Sequence, residues 1–247
     1  MTLKKEKYDK DYYNRGIIGK GLEDILIRLA NLGVLRGVKD GARILDLGCG
    51  QGLWLEYLRK KGFDGWGLDT SRAAIGEAVK RLGKKKLIVG ELERVGFKKN
   101  FFDAVTCFHV LEHVKKADSL VKEVFGILKK DGLFVLRLPD FSSWEVKLAG
   151  ERWFHGDALY HVKNYDKKSV VKLLKKAGFE QIEVKPALFE YRQTLLYSLI
   201  NFCGVEKISR FWRFLLLPLQ LFFAPLSFFL AVVFANSGTM EVRALRG

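Results

Sequence analysis

Residues 42–52 read Ala42-Arg-Ile-Leu-Asp46-Leu-Gly48-Cys-Gly50-Gln-Gly52, a short apolar strand with a carboxylate near its end and three glycines at alternate positions. Glycine accepts a positive φ and lets a ligand approach the main chain closely. Glycine-rich turns between a strand and a helix are therefore typical of nucleotide sites. A dinucleotide-binding loop has a further glycine three positions after Gly50, but Leu53 stands there. The segment predicts a ligand-binding loop in which cradling of phosphate is not the favoured role.

Three later segments extend this pattern. They read Gly65-Trp-Gly-Leu-Asp69-Thr70, Phe101-Phe-Asp-Ala-Val-Thr-Cys-Phe-His-Val-Leu-Glu-His-Val114 and Lys130-Asp-Gly-Leu-Phe-Val-Leu-Arg-Leu-Pro139. With the glycine loop, they resemble four landmarks of the class I S-adenosylmethionine (SAM)-dependent methyltransferases: motif I, the acidic end of the second strand, the fourth-strand motif and the fifth strand. The resemblance implies a methyltransferase whose cofactor is SAM.

The residues after the fifth strand narrow the resemblance to one branch. Trp153-Phe-His-Gly-Asp-Ala-Leu-Tyr-His-Val162 leads into Val170-Val-Lys-Leu-Leu-Lys-Lys-Ala-Gly-Phe179. This arrangement is similar to the branch that includes ubiquinone-biosynthesis O-methyltransferases and methyltransferases of sugar and lipid pathways. Many substrates share the pattern, so it implies a branch and not one acceptor.

Alternating strand and helix patterns predict an α/β fold with a doubly wound parallel sheet. After the first strand, the candidate strands are residues 65–68, 87–89, 102–108, 133–138, 181–184 and 240–244, with a helical pattern over residues 120–128. The resemblance implies a Rossmann-like sheet of seven mostly parallel strands, with the seventh inserted antiparallel. We expect an N-terminal helical flank or lid (1–40), a SAM-binding core (41–191), a hydrophobic helical insertion (192–237) and the final strand of the core (238–247).

Composition bounds the class of protein and its partners. With 247 residues, 49% of them hydrophobic, the chain can bury one α/β core with an appendage. Cys49, Cys107 and Cys203 form no metal-like grouping, so we expect free thiols in a reducing setting. The charged amino end lacks a signal-peptide pattern, which predicts a cytoplasmic chain. A formal net charge of +15 favours nucleic acid or an anionic membrane as partner, although short lysine runs are also typical of solvated helix ends and loops.

Residues 214–235 form an apolar run without a charged side chain. The run is long enough to span a bilayer, which takes about 20 residues. However, Pro218 and Pro225 interrupt helical hydrogen bonding, and a last strand that rejoins the sheet puts both ends of the run on one side of a membrane. We expect a monotopic hairpin or two interfacial helices, with Arg210 and Arg213 at the headgroups. The alternatives are a hydrophobic cap over the substrate pocket and a dimer interface.

Carboxylates at the ends of the first two strands are the main candidates for binding SAM. Asp46 can receive the α-ammonium group directly or through water, and Asp69 suits the two vicinal ribose hydroxyls; turn capping is the alternative for both. Glu91 occupies the position that resembles the adenine-amino contact, although Glu93 can serve instead, or Glu91 can be a solvated loop acid. The predicted cofactor-binding residues are Asp46, Gly48, Cys49, Gly50, Gly52, Asp69, Thr70, Glu91, Leu92 and Phe108.

A candidate general base follows the fourth strand. Methyl transfer depends on alignment and exclusion of water, and it needs a base only when the acceptor must lose a proton. His109, Glu112 and His113 have the spacing that places side chains on one helical face. We expect His113, oriented by Glu112, to be the base. The alternative is that Glu112 and His113 stabilise the start of a helix.

A second histidine group lies where the superfamily places substrate-facing loops. Trp153, His155, Tyr160 and His161 can bind or deprotonate the acceptor there, or can simply pack. From this group we predict His161 as a catalytic residue beside Glu112 and His113.

The spacing of His109, Glu112 and His113 also suits a metal ion, and some quinone O-methyltransferases of similar sequence use a divalent ion. We predict no metal, because the sequence identifies no further ligand for these three side chains.

The sequence therefore predicts a SAM-dependent methyltransferase that acts on a small or lipid-linked, membrane-held acceptor, peripheral to the cytoplasmic face of an anionic membrane. One alternative is an RNA methyltransferase, which the positive charge favours; the lack of an Asn/Asp-Pro-Pro-aromatic tetrad and of an RNA-binding module disfavours it. Another is a non-catalytic partner subunit with the same fold, which the intact glycines and Asp69 disfavour. The acceptor atom, the use of a metal and the oligomeric state stay open.

Overall fold

The computed structural model of the chain describes residues 33–150, 161–187 and 238–247. Strands and helices alternate along most of this length. The strands are β1 (Arg43–Leu47), β2 (Asp64–Asp69), β3 (Leu87–Val89), β4 (Phe102–Phe108), β5 (Leu128–Pro139), β6 (Phe179–Pro186) and β7 (Thr239–Arg246). The helices are α1 (Leu53–Lys60), α2 (Arg72–Leu82), α3 (Leu92–Val95), α4 (Ala117–Ile127), α5 (Trp144–Ala149) and α6 (Lys167–Ala177), with a 3₁₀ helix at Leu111–His113.

Several helix boundaries follow from capping side chains. The Ser71 hydroxyl accepts the Ala74 N–H at 3.2 Å and begins α2. Asp166 and Ser169 form a reciprocal capping box at the start of α6, and Gly178, with a φ of 101°, ends that helix in the left-handed region. Such caps satisfy backbone groups that have no partner inside the helix.

The seven strands form one sheet in the order β3-β2-β1-β4-β5-β7-β6. Strands β1 to β5 pair in parallel, and β7 pairs antiparallel with both β5 and β6. The chain leaves the sheet centre in one direction from β1 and in the other from β4, and ligands bind at the carboxyl ends of strands at such a switch point. The predicted α/β class, the mostly parallel seven-stranded sheet and the antiparallel seventh strand are confirmed.

Helices cover both faces of the sheet, as a doubly wound fold requires. Successive strand residues point to opposite faces, so Ile44 and Leu45 of β1 belong to different apolar clusters. Leu45 packs in the larger cluster, which contains residues of α4 and α6. Ile44 packs with Leu55 and Leu58 of α1. Asp46 follows the alternation of Ile44 and lies on the α1 side.

One predicted boundary is wrong. Leu128 was expected to end a helix, but it is the first residue of β5 and pairs with Phe102 of β4. Its side chain is fully buried against the sheet. A register irregularity follows before Ala104 pairs with Leu133. Burial and strand pairing therefore override the local helical spacing at this position.

Some predicted features lie outside the described residues. These are the N-terminal flank up to residue 32, the insertion over residues 192–237, the side chains of Trp153, His155 and Tyr160, and Cys203. Within the described ranges no helix has the length and apolar character needed to cross a bilayer. Cys49 and Cys107 are free thiols, as expected.

Candidate functional site: the carboxyl edge of the central strands

The glycine loop between β1 and α1 contains three glycines with positive φ angles. The φ angles of Gly48, Gly50 and Gly52 are 80°, 51° and 78°, a region that residues with a Cβ rarely adopt. The N–H groups of Gly48 and Cys49 donate to the Leu68 carbonyl at 2.7 and 3.1 Å, which attaches the loop to β2. The predicted glycines therefore hold a bare main-chain turn at the carboxyl end of β1.

The packing around this loop leaves little space for a side chain at two of the glycines. A Cβ on Gly48 would lie 2.2 Å from Cγ2 of Val110, and one on Gly52 would lie 2.9 Å from Cδ1 of Leu82. At Gly48, glycine is therefore required by space as well as by backbone conformation. At Gly52 the contact is with the tip of the Leu82 side chain, and the positive φ is the stronger constraint. A main-chain turn of this kind fits a ligand such as SAM, whose amino-acid end must approach the backbone closely.

Asp69 ends β2, with 8% of its surface exposed. Its Oδ2 accepts the Gly50 N–H at 2.8 Å, and its Oδ1 accepts the Ser71 N–H at 2.8 Å. Burial raises the pKa of Asp69, while the N–H groups of Ser71, Gly50 and Thr70 oppose that rise. Each carboxylate oxygen can accept a second hydrogen bond, so Asp69 keeps capacity for the vicinal hydroxyls of a ribose.

Asp46 lies directly across from Thr106 in the pairing of β1 with β4, and only 3% of its surface is exposed. The Thr106 hydroxyl donates to Oδ1 of Asp46 at 3.0 Å. Burial raises the pKa of Asp46 to about 7; the hydrogen bond from Thr106 lowers it, and the charge of Asp69 raises it further. A buried carboxyl of this kind gains charge stabilisation when a cation binds beside it.

Three other predicted cofactor residues lie along the same edge. Cys49 is buried, with its Sγ 2.8 Å from the position that a Cβ on Gly67 would occupy, so its side chain packs on β2. Burial raises the pKa of this thiol, which therefore stays protonated. Phe108 is half-buried at the end of β4, with its ring 5.8 Å from that of Trp54. Thr70 is exposed directly after β2.

The residues proposed for the adenine end lie after β3. The Glu91 side chain is 46% exposed, and its Oε2 lies 2.9 Å from Nε of Arg94. Leu92 is 2% exposed and packs in the larger apolar cluster, so its side chain serves the core. Glu93 is also exposed. Either acid can therefore meet an adenine amino group, and the choice between them stays a prediction.

Glu112 is a buried carboxylate between two imidazoles. Its surface is 1% exposed, and its Oε1 lies 3.6 Å from Nδ1 of His109 and 4.0 Å from Nε2 of His113. Burial acts to raise the pKa of Glu112. A hydrogen bond from His109 and the charge of that ring oppose burial, and smaller contributions come from the Glu112 backbone and from His113. Together they hold the pKa of Glu112 below its usual value. Glu112 therefore stays ionised near neutral pH.

The expectation that His109, Glu112 and His113 share one helical face is wrong. The His109 N–H donates to the Arg137 carbonyl at 2.8 Å, which continues the pairing of β4 with β5, and the φ of His109 is 54°. Helical structure begins only at Leu111 and is a single 3₁₀ turn. Sheet hydrogen bonding holds His109 outside the helix, yet the chain reversal still brings its ring to Glu112.

His161, which precedes α6, completes this group. Its ring centroid lies 5.0 Å from that of His113, and the N–H groups of Val162 and Lys163 donate to the Glu112 carbonyl at 2.8 and 3.2 Å. One ligand atom from each of Glu112, His113 and His161 lies within 4.8 Å of the others. The structure thus brings together the three residues predicted as catalytic. The same grouping has the chemistry of a divalent-metal site, and the expectation of no metal stays a prediction.

Sequence reasoning missed two residues of the site, Thr106 and Trp54. Nε1 of Trp54 donates to Oγ1 of Thr106 at 3.1 Å, and Thr106 in turn contacts Asp46. A signal was present, because Thr106 is a polar residue inside an otherwise apolar stretch of β4. Its partner becomes evident only from the register that places β4 beside β1.

Comparisons with known proteins agree with this geometry. A family model described as a methyltransferase domain matches residues 15–184. Over 190 residues the chain is 28% identical to an uncharacterized protein of Methanocaldococcus jannaschii, covering 76% of this chain and 68% of that protein. It is 35% identical over 121 residues to a ubiquinone biosynthesis O-methyltransferase of Alkalilimnicola ehrlichii, covering 46% of this chain and 48% of that enzyme. The chain thus spans less than half the length of this enzyme.

The fold is also similar to that of solved structures. One is the crystal structure of a SAM-dependent methyltransferase from Archaeoglobus fulgidus, with a TM-score of 0.64 and 16% sequence identity. The match covers 96% of this chain and all of that one. At this identity the likeness supports the architecture of the sheet and helices.

Proposed function

Because the chain belongs to the methyltransferase-domain family and is a SAM-dependent methyltransferase of class I fold, we propose that it methylates a proton-bearing O or N atom of a lipid-linked or membrane-held acceptor. The observation that carries the proposal is the buried Glu112 beside His113 and His161 at the carboxyl edge of the sheet. Such an acceptor must lose a proton as its bond to carbon forms, and these residues can hold that proton.

The residues that would hold SAM are those of the glycine loop and the two strand-end carboxylates. When bound, SAM supplies an electrophilic methyl carbon and a thioether leaving group. Asp46 would accept a hydrogen bond from the α-ammonium group, Asp69 would accept from the ribose hydroxyls, and Gly48 to Gly52 would offer the main chain. Because these groups are held by the sheet before the ligand arrives, alignment costs little at the moment of reaction.

His113 is the proposed base. Oε1 of Glu112 lies 4.0 Å from Nε2 of His113 and is placed to orient its ring. With SAM bound, His113 would take the proton that the acceptor loses when it receives the methyl group. The ring centroid of His161 lies 5.0 Å from that of His113, so His161 can orient the acceptor or share the proton.

Variants of this group test the proposed base. Transfer of tritium from labelled SAM into fractionated lipid, RNA and small-molecule extracts of the source cell identifies the acceptor fraction. His113→Gln and Glu112→Gln are expected to lower transfer by about 10²-fold or more, the usual contribution of general acid–base catalysis, with S-adenosylhomocysteine binding unchanged. Unchanged transfer in both variants with intact binding would remove the base from the proposal. Lys122→Gln, at an exposed position of α4, is the matched control.

The membrane part of the proposal is supported by the apolar run over residues 214–235 and by the net charge of +15. An interfacial apolar segment brings the site to a lipid-held acceptor, and positive charge adds affinity for anionic headgroups. The proposed location is therefore peripheral, at the cytoplasmic face of a membrane.

Flotation with liposomes tests this part separately. The whole chain is compared with a variant in which a short linker replaces residues 207–236, using vesicles of phosphatidylcholine alone and with phosphatidylglycerol. We expect the whole chain to float with anionic vesicles and the variant to stay at the bottom. Equal partitioning of the two proteins would exclude membrane contact by the run. Salt-sensitive tritium counts in the RNA fraction would instead favour a nucleic-acid acceptor.

A further inference from the structure

A buried hydrogen-bonded chain connects the two ends of the glycine loop. Nε1 of Trp54, in the first turn of α1, donates to Oγ1 of Thr106 at 3.1 Å, and that hydroxyl donates to Oδ1 of Asp46 at 3.0 Å. Trp54 follows the loop and Asp46 precedes it, while Thr106 lies on the neighbouring β4. Thr106 is fully buried, and Trp54 and Asp46 are 8% and 3% exposed.

The hydrogen bonds that link Trp54, Thr106 and Asp46 donate in one direction. An indole N–H can only donate, and a hydroxyl has a single proton to give. Because Trp54 donates to the Thr106 oxygen, the Thr106 proton is left for an acceptor. The Asp46 carboxylate lies at 3.0 Å, whereas the competing Leu45 carbonyl lies at 3.5 Å, the limit for a hydrogen bond. The better-placed acceptor is therefore Oδ1 of Asp46.

We propose that Trp54 and Thr106 are positioning residues for donor binding: they hold Oδ1 of Asp46 so that its second oxygen faces the α-ammonium group of SAM. The inference rests on the assignment of Asp46 to that ammonium group under the proposed function. Without the Thr106 hydroxyl, the carboxylate can rotate about its Cβ–Cγ bond. The distance between the carboxylate and the glycine main chain would then no longer be set before SAM arrives.

The ring of Trp54 has a separate packing role, which sets the choice of variants. It stacks on Tyr57 at 5.1 Å and approaches Phe108 at 5.8 Å, so Trp54→Phe keeps an aromatic ring and removes only the N–H donor. Thr106→Val keeps the shape of the side chain but leaves a buried indole N–H without its acceptor. The double variant Trp54→Phe/Thr106→Val avoids that unsatisfied donor and is the form expected to fold most reliably.

Two ligands that differ only at the amino-acid end can separate a role in positioning Asp46 from a general effect on packing of the site. S-adenosylhomocysteine carries the α-ammonium group, and 5′-methylthioadenosine lacks it. Thr106→Val and the double variant are expected to weaken binding of the first by about tenfold or more, the effect of a lost hydrogen bond to a charged group, and to leave the second within twofold. Thr106→Ser is expected to restore binding. Equal losses for both ligands, or no loss for either, would overturn the positioning role.

The pH dependence of binding gives a second readout. Asp69 is the titratable group whose charge raises the pKa of Asp46. Asp46 in turn raises the pKa of the nearby thiols of Cys49 and Cys107, and burial keeps both thiols protonated. The Thr106 hydrogen bond favours the ionised carboxylate, so its removal is expected to move the midpoint of S-adenosylhomocysteine binding to higher pH. An unchanged midpoint in Thr106→Val would contradict the inference. Asp46→Asn separates failure of the proposed function from failure of this inference. If Asp46→Asn binds S-adenosylhomocysteine normally, the assignment of Asp46 to the ammonium group is wrong. If Asp46→Asn loses binding and Thr106→Val binds normally, only the positioning role is refuted.

Discussion

Gly50 and Asp69 are joined directly: the Gly50 N–H donates to Oδ2 of Asp69 at 2.8 Å. The carboxylate assigned to the ribose therefore also holds the loop assigned to the amino-acid end of the same ligand. The two contacts come from different strands but are coupled, since a movement of Asp69 would break its hydrogen bond to Gly50. Preorganisation of this kind reduces the ordering that binding would otherwise require.

Replacement of Asp69 is expected to loosen the loop as well as to remove the ribose contact. Asp69→Ala should weaken S-adenosylhomocysteine binding by well over tenfold, because several hydrogen bonds to a charged group are lost together. Calorimetric titration measures this loss, and amide exchange at Gly50 should become faster. Glu77→Ala, at an exposed position of α2 that pairs with Lys80, is the matched control and should leave both binding and the exchange of Gly50 unchanged. Unaltered Gly50 exchange in Asp69→Ala would show that the loop does not depend on this contact.

Gly48→Ala is expected to impair both stability and donor binding. The residue has a φ of 80°, which costs an L residue about 1–2 kcal/mol, and its Cβ would meet Val110 at 2.2 Å. Chemical denaturation and titration with S-adenosylhomocysteine measure the two effects. Gly76→Ala in α2 has open space and no positive φ, so it should be neutral or stabilising by up to about 1 kcal/mol.

A second variant checks the origin of the Gly48 effect. Val110→Ala removes the atom that the new Cβ would strike, so Gly48→Ala/Val110→Ala should recover the packing part of the loss and keep the conformational part. No recovery at all would mean that steric contact with Val110 is irrelevant.

Donor binding is expected to depend on pH through Asp46. Its pKa is raised to about 7, so the carboxyl is largely neutral at pH 6 and ionised at pH 8 in the absence of ligand. Because an ammonium group is bound by the ionised form, affinity for S-adenosylhomocysteine should rise by up to about tenfold per pH unit below 7 and level off above it. Calorimetry between pH 5.5 and 7.5 measures this slope, and Asp46→Asn should remove most of it. A flat profile in the unaltered protein would contradict the assignment.

The same carboxyl has the opposite effect on stability in the absence of ligand. Its pKa is higher in the folded chain than the ordinary 3.8, so its contribution is fully present below about pH 4 and is lost as the pH rises through about 7. The difference corresponds to about 4 kcal/mol at most. Asp46→Asn should therefore be more stable than the unaltered protein at pH 8 and show little difference at pH 4, measured by chemical denaturation. Equal stability of the two proteins at pH 8 would indicate that burial of the ionised Asp46 carboxylate does not destabilise the folded chain.

The sequence predicted those features that depend on local pattern and strand order. β3 and β4 have the expected bounds, and Asp46 and Asp69 lie at the strand ends where the glycine loop required them. The features that it missed depend on pairing between distant residues. Thr106 meets Asp46 because β4 lies beside β1 in one register, which a periodic pattern does not specify. The prediction that His109 is helical is wrong because a hydrogen bond to β5 holds its backbone in the sheet.

The buried ion pair between β5 and β7 allows a test of what holds the last strand in the sheet. Arg137 and Glu241 are directly paired across the two strands, with Nε and Nη2 of Arg137 at 3.0 and 2.7 Å from Oε2 of Glu241. Their side chains are only 4% and 7% exposed. Glu241→Leu should destabilise the protein by about 3–5 kcal/mol, because it takes a carboxylate from beside a buried guanidinium. Chemical denaturation at pH 7 measures this cost.

Two further variants determine whether the cost of Glu241→Leu comes from charge or from shape. Arg137→Met/Glu241→Leu removes both charges and should recover much of the lost stability, since well-packed apolar residues often replace a buried pair without loss. Glu183→Gln alters the exposed pair with Lys185 on β6, where the oxygen and nitrogen are 3.8 Å apart, and should change stability by a few tenths of a kcal/mol. If the double variant is no more stable than Glu241→Leu alone, the cost arises from packing near the start of β7, and the Arg137 charge is not its cause.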